Sequence, residues 1–367
     1  MQKVYIGIDA HKESNVLALA FAGTADPELY GKASADLKAF EAVLRRIMKK
    51  YDLSKEDVAL CYEAGPTGFV LARRLIKLGF ECIVVAPSKI PSKSGDRVKT
   101  DRRDARKLAR LYRAGELSGI HIPSVEDEVI RDVCRGRTDA VDERSRTKKQ
   151  LLSFMLRNGY RYKGTARWTE GHMRYLREQV LADPAQKMVL EEYLQRIDFA
   201  VKQVERIDDQ MGKLLQTWSR KPLVDALMGF RGFKQTAAMV IVSEIGDFKR
   251  FKHPKQLMGY LGLTPSEDSS GGRRRQGGIT KCGNGHARWM LVESAEHYRK
   301  PPMISAALAK RQEGLSREVR TISWHAQNRL NKRSFQLAMR RLHPNKIRVA
   351  IARELSSYIW DLAQIVE

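Results

Sequence analysis

The first 125 residues alternate between short apolar runs and longer stretches in which apolar residues recur at helical spacing. The apolar, β-branched runs predict buried strands over residues 4–8, 15–22, 58–62 and 81–86. The stretches between them predict amphipathic helices over residues 35–51 and 67–78. Strands interleaved with helices indicate an α/β layer architecture for this part of the chain.

The middle of the chain predicts two long helices, over residues 126–160 and about 184–218. In the second helix, apolar residues from Leu190 to Leu215 keep the spacing of a heptad seam, which Asp208 interrupts. We interpret this region as a coiled coil, which implies self-association or a rigid spacer. A helix packed within one chain is the alternative.

A mainly helical, basic region follows. Gly229 and Gly232 separate two helical runs, as in a helix-hairpin-helix element whose backbone N–H groups bind phosphates. A tight turn between packed helices explains the two glycines equally well. The sequence therefore divides into four predicted regions: α/β over residues 1–125, long helices over 126–220, a helical domain with a glycine-rich loop over 221–300, and a basic helical extension over 301–367.

Composition narrows the class of partner. The 367 residues carry a formal net charge of +24, which indicates a polyanionic ligand. Nucleic acid is favoured over a membrane surface, because no stretch is apolar enough to span a bilayer and no signal peptide is visible. The cysteines are scattered without metal-ligand spacing, which predicts reduced thiols, no structural zinc and a cytoplasmic location.

Four acidic residues stand where this pattern would bring them together. Asp9 and Glu63 end predicted strands, and Asp101 and Asp104 leave one face of a predicted helix. Each alone is more often a solvated or capping residue. Four converging carboxylates, however, repel one another unless cations lie between them, and oxygen ligands favour Mg²⁺, or Mn²⁺. The order and spacing are similar to those of an RNase H-like site, in particular that of Holliday-junction resolvases.

The second candidate centre is a loop that is too glycine-rich and too basic for a core segment. Ser269 and Ser270 precede glycines and three arginines in it. Serine in such a loop is usually a turn residue, but neighbouring arginines could stabilise a serine hydroxyl that attacks phosphorus. The residues expected to contact nucleic acid lie in this loop, the glycine hairpin, the linker after residue 86 and the start of the acidic helix: Lys89, Lys93, Arg97, Lys99, Arg102, Arg103, Gly229, Gly232, Arg273, Arg274, Arg275 and Lys281.

The sequence resembles the IS110 family of insertion-sequence transposases, in its IS1111 branch. The motifs that carry the resemblance run in order along the whole chain: GIDAHK, YEAGPTG, VKTDRRDARKLARL, GFRGF, SEIGDFKRF, YLGLTPSEDSSG, ITKCGNGHARWMLVE, WHAQNRL and VAIAREL. The resemblance implies a RuvC-like domain whose DEDD tetrad is Asp9, Glu63, Asp101 and Asp104. A coiled coil joins that domain to a transposase domain whose nucleophile is Ser270, with Ser269 as the adjacent alternative.

The resemblance further implies a function. Ser270 would form a covalent phosphoserine link to cut DNA, with Mg²⁺ held by the tetrad. A structured guide (bridge) RNA and a homotetramer, a dimer of dimers, would pair donor and target DNA in the bacterial nucleoid. A metal-dependent junction resolvase or nuclease that uses water as nucleophile is the alternative. A non-enzymatic nucleic-acid packaging protein would explain the charge but not the four acids.

Overall fold

The computed structural model describes residues 3–91, 100–270, 272–273 and 275–366. These residues form two compact units, Met1–Ile122 and Pro123–Glu367, each with its own core. The strands of the described chain are β1 (Val4–Ala10), β2 (Ser14–Phe21), β3 (Glu28–Ser34), β4 (Val58–Glu63), β5 (Glu81–Val85), β6 (Pro265–Glu267) and β7 (Gln276–Ile279). The α-helices are α1 (Leu37–Tyr51), α2 (Val70–Lys77), α3 (Asp101–Arg113), α4 (Val125–Arg157), α5 (Glu170–Arg177), α6 (Pro184–Thr217), α7 (Lys221–Met228), α8 (Gln235–Ile245), α9 (Pro254–Tyr260), α10 (Gly285–Ala295), α11 (Ala306–Gln312), α12 (Arg317–Met339) and α13 (Pro344–Val366).

The first unit is built on a five-stranded mixed sheet in the order β3-β2-β1-β4-β5. β2 pairs with both β1 and β3 in antiparallel fashion, whereas β4 is parallel to both β1 and β5. The predicted strands at residues 4–8, 15–22, 58–62 and 81–86 are all present, which confirms the mixed α/β class. β3 was not predicted, because this edge strand is largely polar and breaks its alternation at Gly31.

Helices cover both faces of this sheet. α1 buries Phe40, Leu44 and Ile47 against one face, while α3 lies on β1 and β2 across the other. α3 approaches β1 so closely that a Cβ atom on Gly7 would lie 2.2 Å from the Ala105 carbonyl oxygen and 2.4 Å from the Ala109 nitrogen. Glycine at position 7 therefore sets the distance between the acidic helix and the central strand.

The second unit begins with α4, which packs along α6 as an antiparallel pair. Leu151, Phe154 and Met155 at the end of α4 share a buried cluster with Leu190, Leu194 and Ile197 at the start of α6. The seam predicted on α6 is therefore covered by a helix of the same chain, as in the alternative to self-association. Asp208, which interrupts the seam, is bound by the Arg137 guanidinium of α4.

A helical bundle forms the remaining core of the second unit. α8 lies against α4, α7 and α10, and α13 packs on α7, α9, α10 and α12. Phe230, Phe233 and Phe248 are fully buried in its centre. Within the part of the chain that is described, no helix has the length and apolar character needed to cross a bilayer.

Candidate active site

The acidic site is assembled from two strand ends and one helix. β1 and β4 run parallel with Ile8 opposite Tyr62, so the next residues, Asp9 and Glu63, lie at the same edge of the sheet. Both side chains are partly buried. Because the strand residues before them are buried, the backbone positions of Asp9 and Glu63 are fixed.

The third and fourth acids come from the first turn of α3. The Thr100 hydroxyl caps this helix by accepting a hydrogen bond from the Arg103 N–H, which starts the helix directly before Asp101. Asp101 is exposed and Asp104 is partly buried. Since Gly7 lets α3 lie against β1, the first turn of the helix reaches the strand end that carries Asp9.

The closest group of candidate ligands includes a histidine. Ligand atoms of Asp9, His11 and Asp101 all lie within 4.8 Å of one another. His11 Nε2 is 3.0 Å from the Asp9 carboxylate and 3.7 Å from that of Asp101. Glu63 and Asp104 lie outside this 4.8 Å group of described residues. His11 was not predicted as a site residue, although it lies two residues after Asp9 in the GIDAHK motif.

The electrostatics of Asp9 fit a cation site. Burial raises the pKa of Asp9; the charge of His11 and its hydrogen bond lower it, and the charges of Asp101 and Asp104 raise it further. A cation between these like charges would relieve the repulsion that raises the pKa of Asp9. The oxygen donors suit Mg²⁺, and an imidazole beside them is equally compatible with Mn²⁺. The residues present therefore fit a divalent metal.

The second centre is a hairpin that the sequence did not predict as strand. β6 and β7 pair in antiparallel fashion, and Ser270 lies in the segment between them. The Ser269 hydroxyl donates to the Glu267 carboxylate (3.0 Å) and accepts from the Arg275 N–H (3.1 Å). Ser270 is exposed, and among the described residues its hydroxyl has no hydrogen-bond partner. The Ser269 side chain thus helps to hold the hairpin together, whereas Ser270 takes part through its main-chain carbonyl, which accepts from the Arg273 N–H (3.0 Å).

The predicted nucleic-acid contacts divide into three groups. Six of the residues predicted to contact nucleic acid are exposed: Lys89, Arg102, Arg103, Arg273, Arg275 and Lys281. Lys93, Arg97, Lys99 and Arg274 lie outside the described residues and remain predictions. The two glycines of the hairpin between α7 and α8 form the third group.

These glycines are explained by packing. Gly229 is buried; its N–H donates to the Ala226 carbonyl, and its own carbonyl accepts from Gln312 and Ser323. Gly232 has a φ of 88°, and a Cβ there would lie 2.6 Å from the Ser294 carbonyl oxygen. Because the Gly229 amide is already used, the geometry favours the tight turn over a phosphate-binding hairpin at this position.

Known proteins resemble the chain over its full length. Residues 6–158 match a family profile described as a DEDD transposase of the IS110 type, and residues 224–309 match one described as the transposase IS116/IS110/IS902 family. A transposase of Sinorhizobium fredii is 41% identical over 99% of this chain and 89% of its own length. The transposase of insertion sequence IS1533 from Leptospira borgpetersenii is 32% identical over 69% of this chain and 74% of its own. The chain therefore belongs to the IS110 family of insertion-sequence transposases, enzymes that cleave and rejoin DNA.

Proposed function

We propose that this transposase cuts and rejoins DNA through a covalent phosphoserine intermediate at Ser270, with divalent metal bound by Asp9, Glu63, Asp101 and Asp104. The observation that carries the proposal is the approach of the first turn of α3 to the end of β1. It brings Asp9 and Asp101 within one coordination sphere of each other although 92 positions separate them in the sequence. Mg²⁺ is the preferred ion and Mn²⁺ the alternative.

The choice of Ser270 over Ser269 rests on hydrogen bonding. A nucleophilic hydroxyl has to lose its proton and turn a lone pair toward phosphorus. The Ser269 oxygen both donates and accepts within the hairpin, so attack from it would break two contacts. The exposed Ser270 hydroxyl has no such contact with the residues that the structure describes, and Arg273 and Arg275 lie in the same exposed segment.

The chemistry is an exchange of phosphodiester bonds. The Ser270 Oγ–P bond forms as the P–O bond to the departing DNA strand breaks; the hydroxyl proton leaves, and the departing oxygen acquires one. Rejoining is the reverse step, in which a strand-end hydroxyl attacks phosphorus and Ser270 recovers its proton. Divalent metal, when bound at the acidic site, would offset charge on the attacking and leaving oxygens. Because bond energy is kept in the phosphoserine link, no external energy source is required.

The test is a labelled DNA substrate that traps the cut strand on the protein, followed by mass spectrometry of the attached peptide. We expect attachment at Ser270, loss of the adduct in Ser270→Ala, and a weaker but detectable adduct in Ser269→Ala. Asp9→Asn should abolish the adduct while leaving DNA binding intact, with the exposed loop variant Asp26→Asn as matched control. Attachment at Ser269 or at a tyrosine would contradict the assignment.

A junction resolvase or nuclease that uses water is the alternative. It shares the acidic site but gives free strand ends and no protein–DNA adduct. Ser270→Ala would then cleave DNA at close to the wild-type rate. The same substrate therefore separates the two mechanisms.

We also propose a structured guide RNA and a homotetramer as partners on donor and target DNA. The family resemblance motivates both, and the net charge of +24 is compatible with a large amount of bound nucleic acid. Sequencing the RNA that co-purifies with the protein tests the guide. Light scattering of the RNA complex tests the tetramer, and a monomeric mass would contradict it.

A further inference from the structure

A buried carboxylate lies in the core of the second unit, outside the acidic site. The Glu244 side chain, on α8, has no exposed surface. It accepts hydrogen bonds from Arg135 Nε (2.8 Å) and Nη2 (3.0 Å), from Asn284 Nδ2 (2.7 Å) and, at 2.9 Å, contacts His286 Nδ1. Arg131 Nε lies 3.5 Å from it and also donates to the Ser243 carbonyl. Three helices, α4, α8 and the start of α10, thus meet at one carboxylate.

Such an arrangement is not needed for packing alone. Burying a carboxylate and an arginine removes both from water, and apolar side chains of similar volume often serve stability equally well. The position of the partners suggests another role. Asn284 and His286 lie where the chain returns from the segment that carries Ser270, and Arg135 and His286 also line an adjacent open cavity of about 500 Å³.

Residue 244 holds both ends of that segment. The Tyr260 hydroxyl, at the end of α9, donates to the Glu244 main-chain carbonyl (3.1 Å). Asn284 Nδ2 donates to the same carbonyl (3.2 Å) and to the Glu244 carboxylate. The Asn284 N–H in turn donates to the Tyr260 carbonyl (3.3 Å). Residues 260 and 284 are therefore joined to each other and to Glu244.

The two stretches of chain that lead from this junction to the hairpin are short and lie close together. The Thr280 N–H donates to the Thr264 carbonyl, and the Lys281 N–H to the Gly262 carbonyl. A Cβ on Gly283 would lie 1.9 Å from the Tyr260 carbonyl oxygen, so no larger residue fits there. From Ser266 to Gly278 the described residues are exposed. The base of the segment is therefore held from both of its strands.

We propose that Glu244 is a positioning residue of the transposase, whose carboxylate fixes the base of the Ser270 segment through Asn284 and His286. The proposal rests on the proposed nucleophilic role of Ser270. It assigns Glu244 no contact with DNA or with the reacting atoms. Its action is to hold the base of the segment from which Ser270 is presented.

The test compares two neutral, isosteric substitutions. Glu244→Gln removes the charge at the base of the segment. Asp127→Asn removes an equally buried carboxylate, bound by Trp218 Nε1 and Arg220, at the start of α4 and remote in sequence from the segment. Amide hydrogen exchange over residues 262–283 measures how firmly the segment is held. The rate of adduct formation and its dependence on DNA concentration measure the effect on the reaction.

We expect at least tenfold faster exchange over residues 262–283 in Glu244→Gln than in Asp127→Asn. The maximal rate of adduct formation should fall at least tenfold with an unchanged half-saturating DNA concentration. His286→Phe, which keeps a ring but removes one partner of the Glu244 carboxylate, should shift both quantities in the same direction by a smaller factor and serves if Glu244→Gln fails to fold. Equal exchange in Glu244→Gln, or in His286→Phe, and the Asp127→Asn control would overturn the proposal. So would a loosened segment with a wild-type adduct rate. A loosened segment in a protein whose wild type forms no adduct would support the anchor and refute Ser270 as nucleophile.

Discussion

The close packing of α3 on β1 can be tested by adding one methyl group to β1. Gly7→Ala places a Cβ 2.2 Å from the Ala105 carbonyl oxygen and 2.4 Å from the Ala109 nitrogen. Ordinary contacts of this kind begin at 3.4 Å, so α3 has to move away by about 1 Å. Both obstructing atoms are backbone and cannot rotate aside. We expect the cost to lie at the upper end of the range for overpacked cores, about 3 kcal/mol of the free energy of unfolding.

The same displacement should disturb the acidic site. Metal ligands tolerate position errors of only ~0.2 Å, so moving Asp101 by ~1 Å relative to Asp9 should weaken Mn²⁺ binding about tenfold or more. Calorimetric unfolding measures the stability, and titration with Mn²⁺ measures the affinity. Gly136→Ala is the matched control: Gly136 is exposed on α4, and apart from its own turn of helix no described atom lies within 4 Å of an added Cβ. That variant should gain about 0.5–1 kcal/mol and bind metal normally.

One result would refute this reasoning. If Gly7→Ala unfolds at the wild-type temperature and binds Mn²⁺ with wild-type affinity, α3 is not seated on β1 at the distance described. If Gly7→Ala loses stability but keeps its Mn²⁺ affinity, α3 is packed on β1 as described but Asp101 is not a ligand.

Three further predictions concern charge. The network around Glu244 outweighs the effect of burial and lowers the pKa of this carboxyl to about 2 from 4.5, so about 3 kcal/mol of stability, present above pH 4.5, should be lost between pH 4.5 and 2. Urea unfolding between pH 7 and 2 should show this loss in the wild type and not in Glu244→Gln; parallel curves would contradict it. Replacing Arg273 and Arg275 by glutamine should reduce the log–log salt slope of DNA binding by about 0.7–0.9 per lost phosphate contact, and an unchanged slope would place both away from DNA. His11→Gln should weaken Mn²⁺ binding about tenfold in the same titration, whereas wild-type affinity would exclude the imidazole from the site.

The elements that could be predicted are those whose burial shows in the spacing of neighbouring apolar residues. The strands that carry Asp9 and Glu63 are runs of apolar residues, and the seam of α6 has a regular spacing, so both could be read from neighbouring residues alone. The candidate acids were found because each ends or begins such an element. What covers the α6 seam was not readable, because a heptad pattern is the same whether the partner helix belongs to the same chain or to another copy.

The features missed by the sequence analysis depend on distant residues. Glu244 sits in a strongly apolar helix, and its partners Arg135 and Asn284 are 109 and 40 positions away. The β6–β7 hairpin lacks the alternation of a buried strand, because its residues are exposed on both faces. His11 was missed for another reason: a single histidine near a strand end carries no pattern until its neighbours are placed in space.

The seating of α3 on β1 has a consequence during synthesis. Strands β1, β2 and β4 present a face of small apolar residues, including Val16, Ala18 and Cys61, against which α3 packs. The sheet is complete at Val85, whereas α3 ends 28 residues later, at Arg113. At a translation rate of about 5–20 residues per second, this face stays open on the nascent chain for roughly 1–6 s. During that interval the half-built domain exposes apolar surface that the finished domain buries.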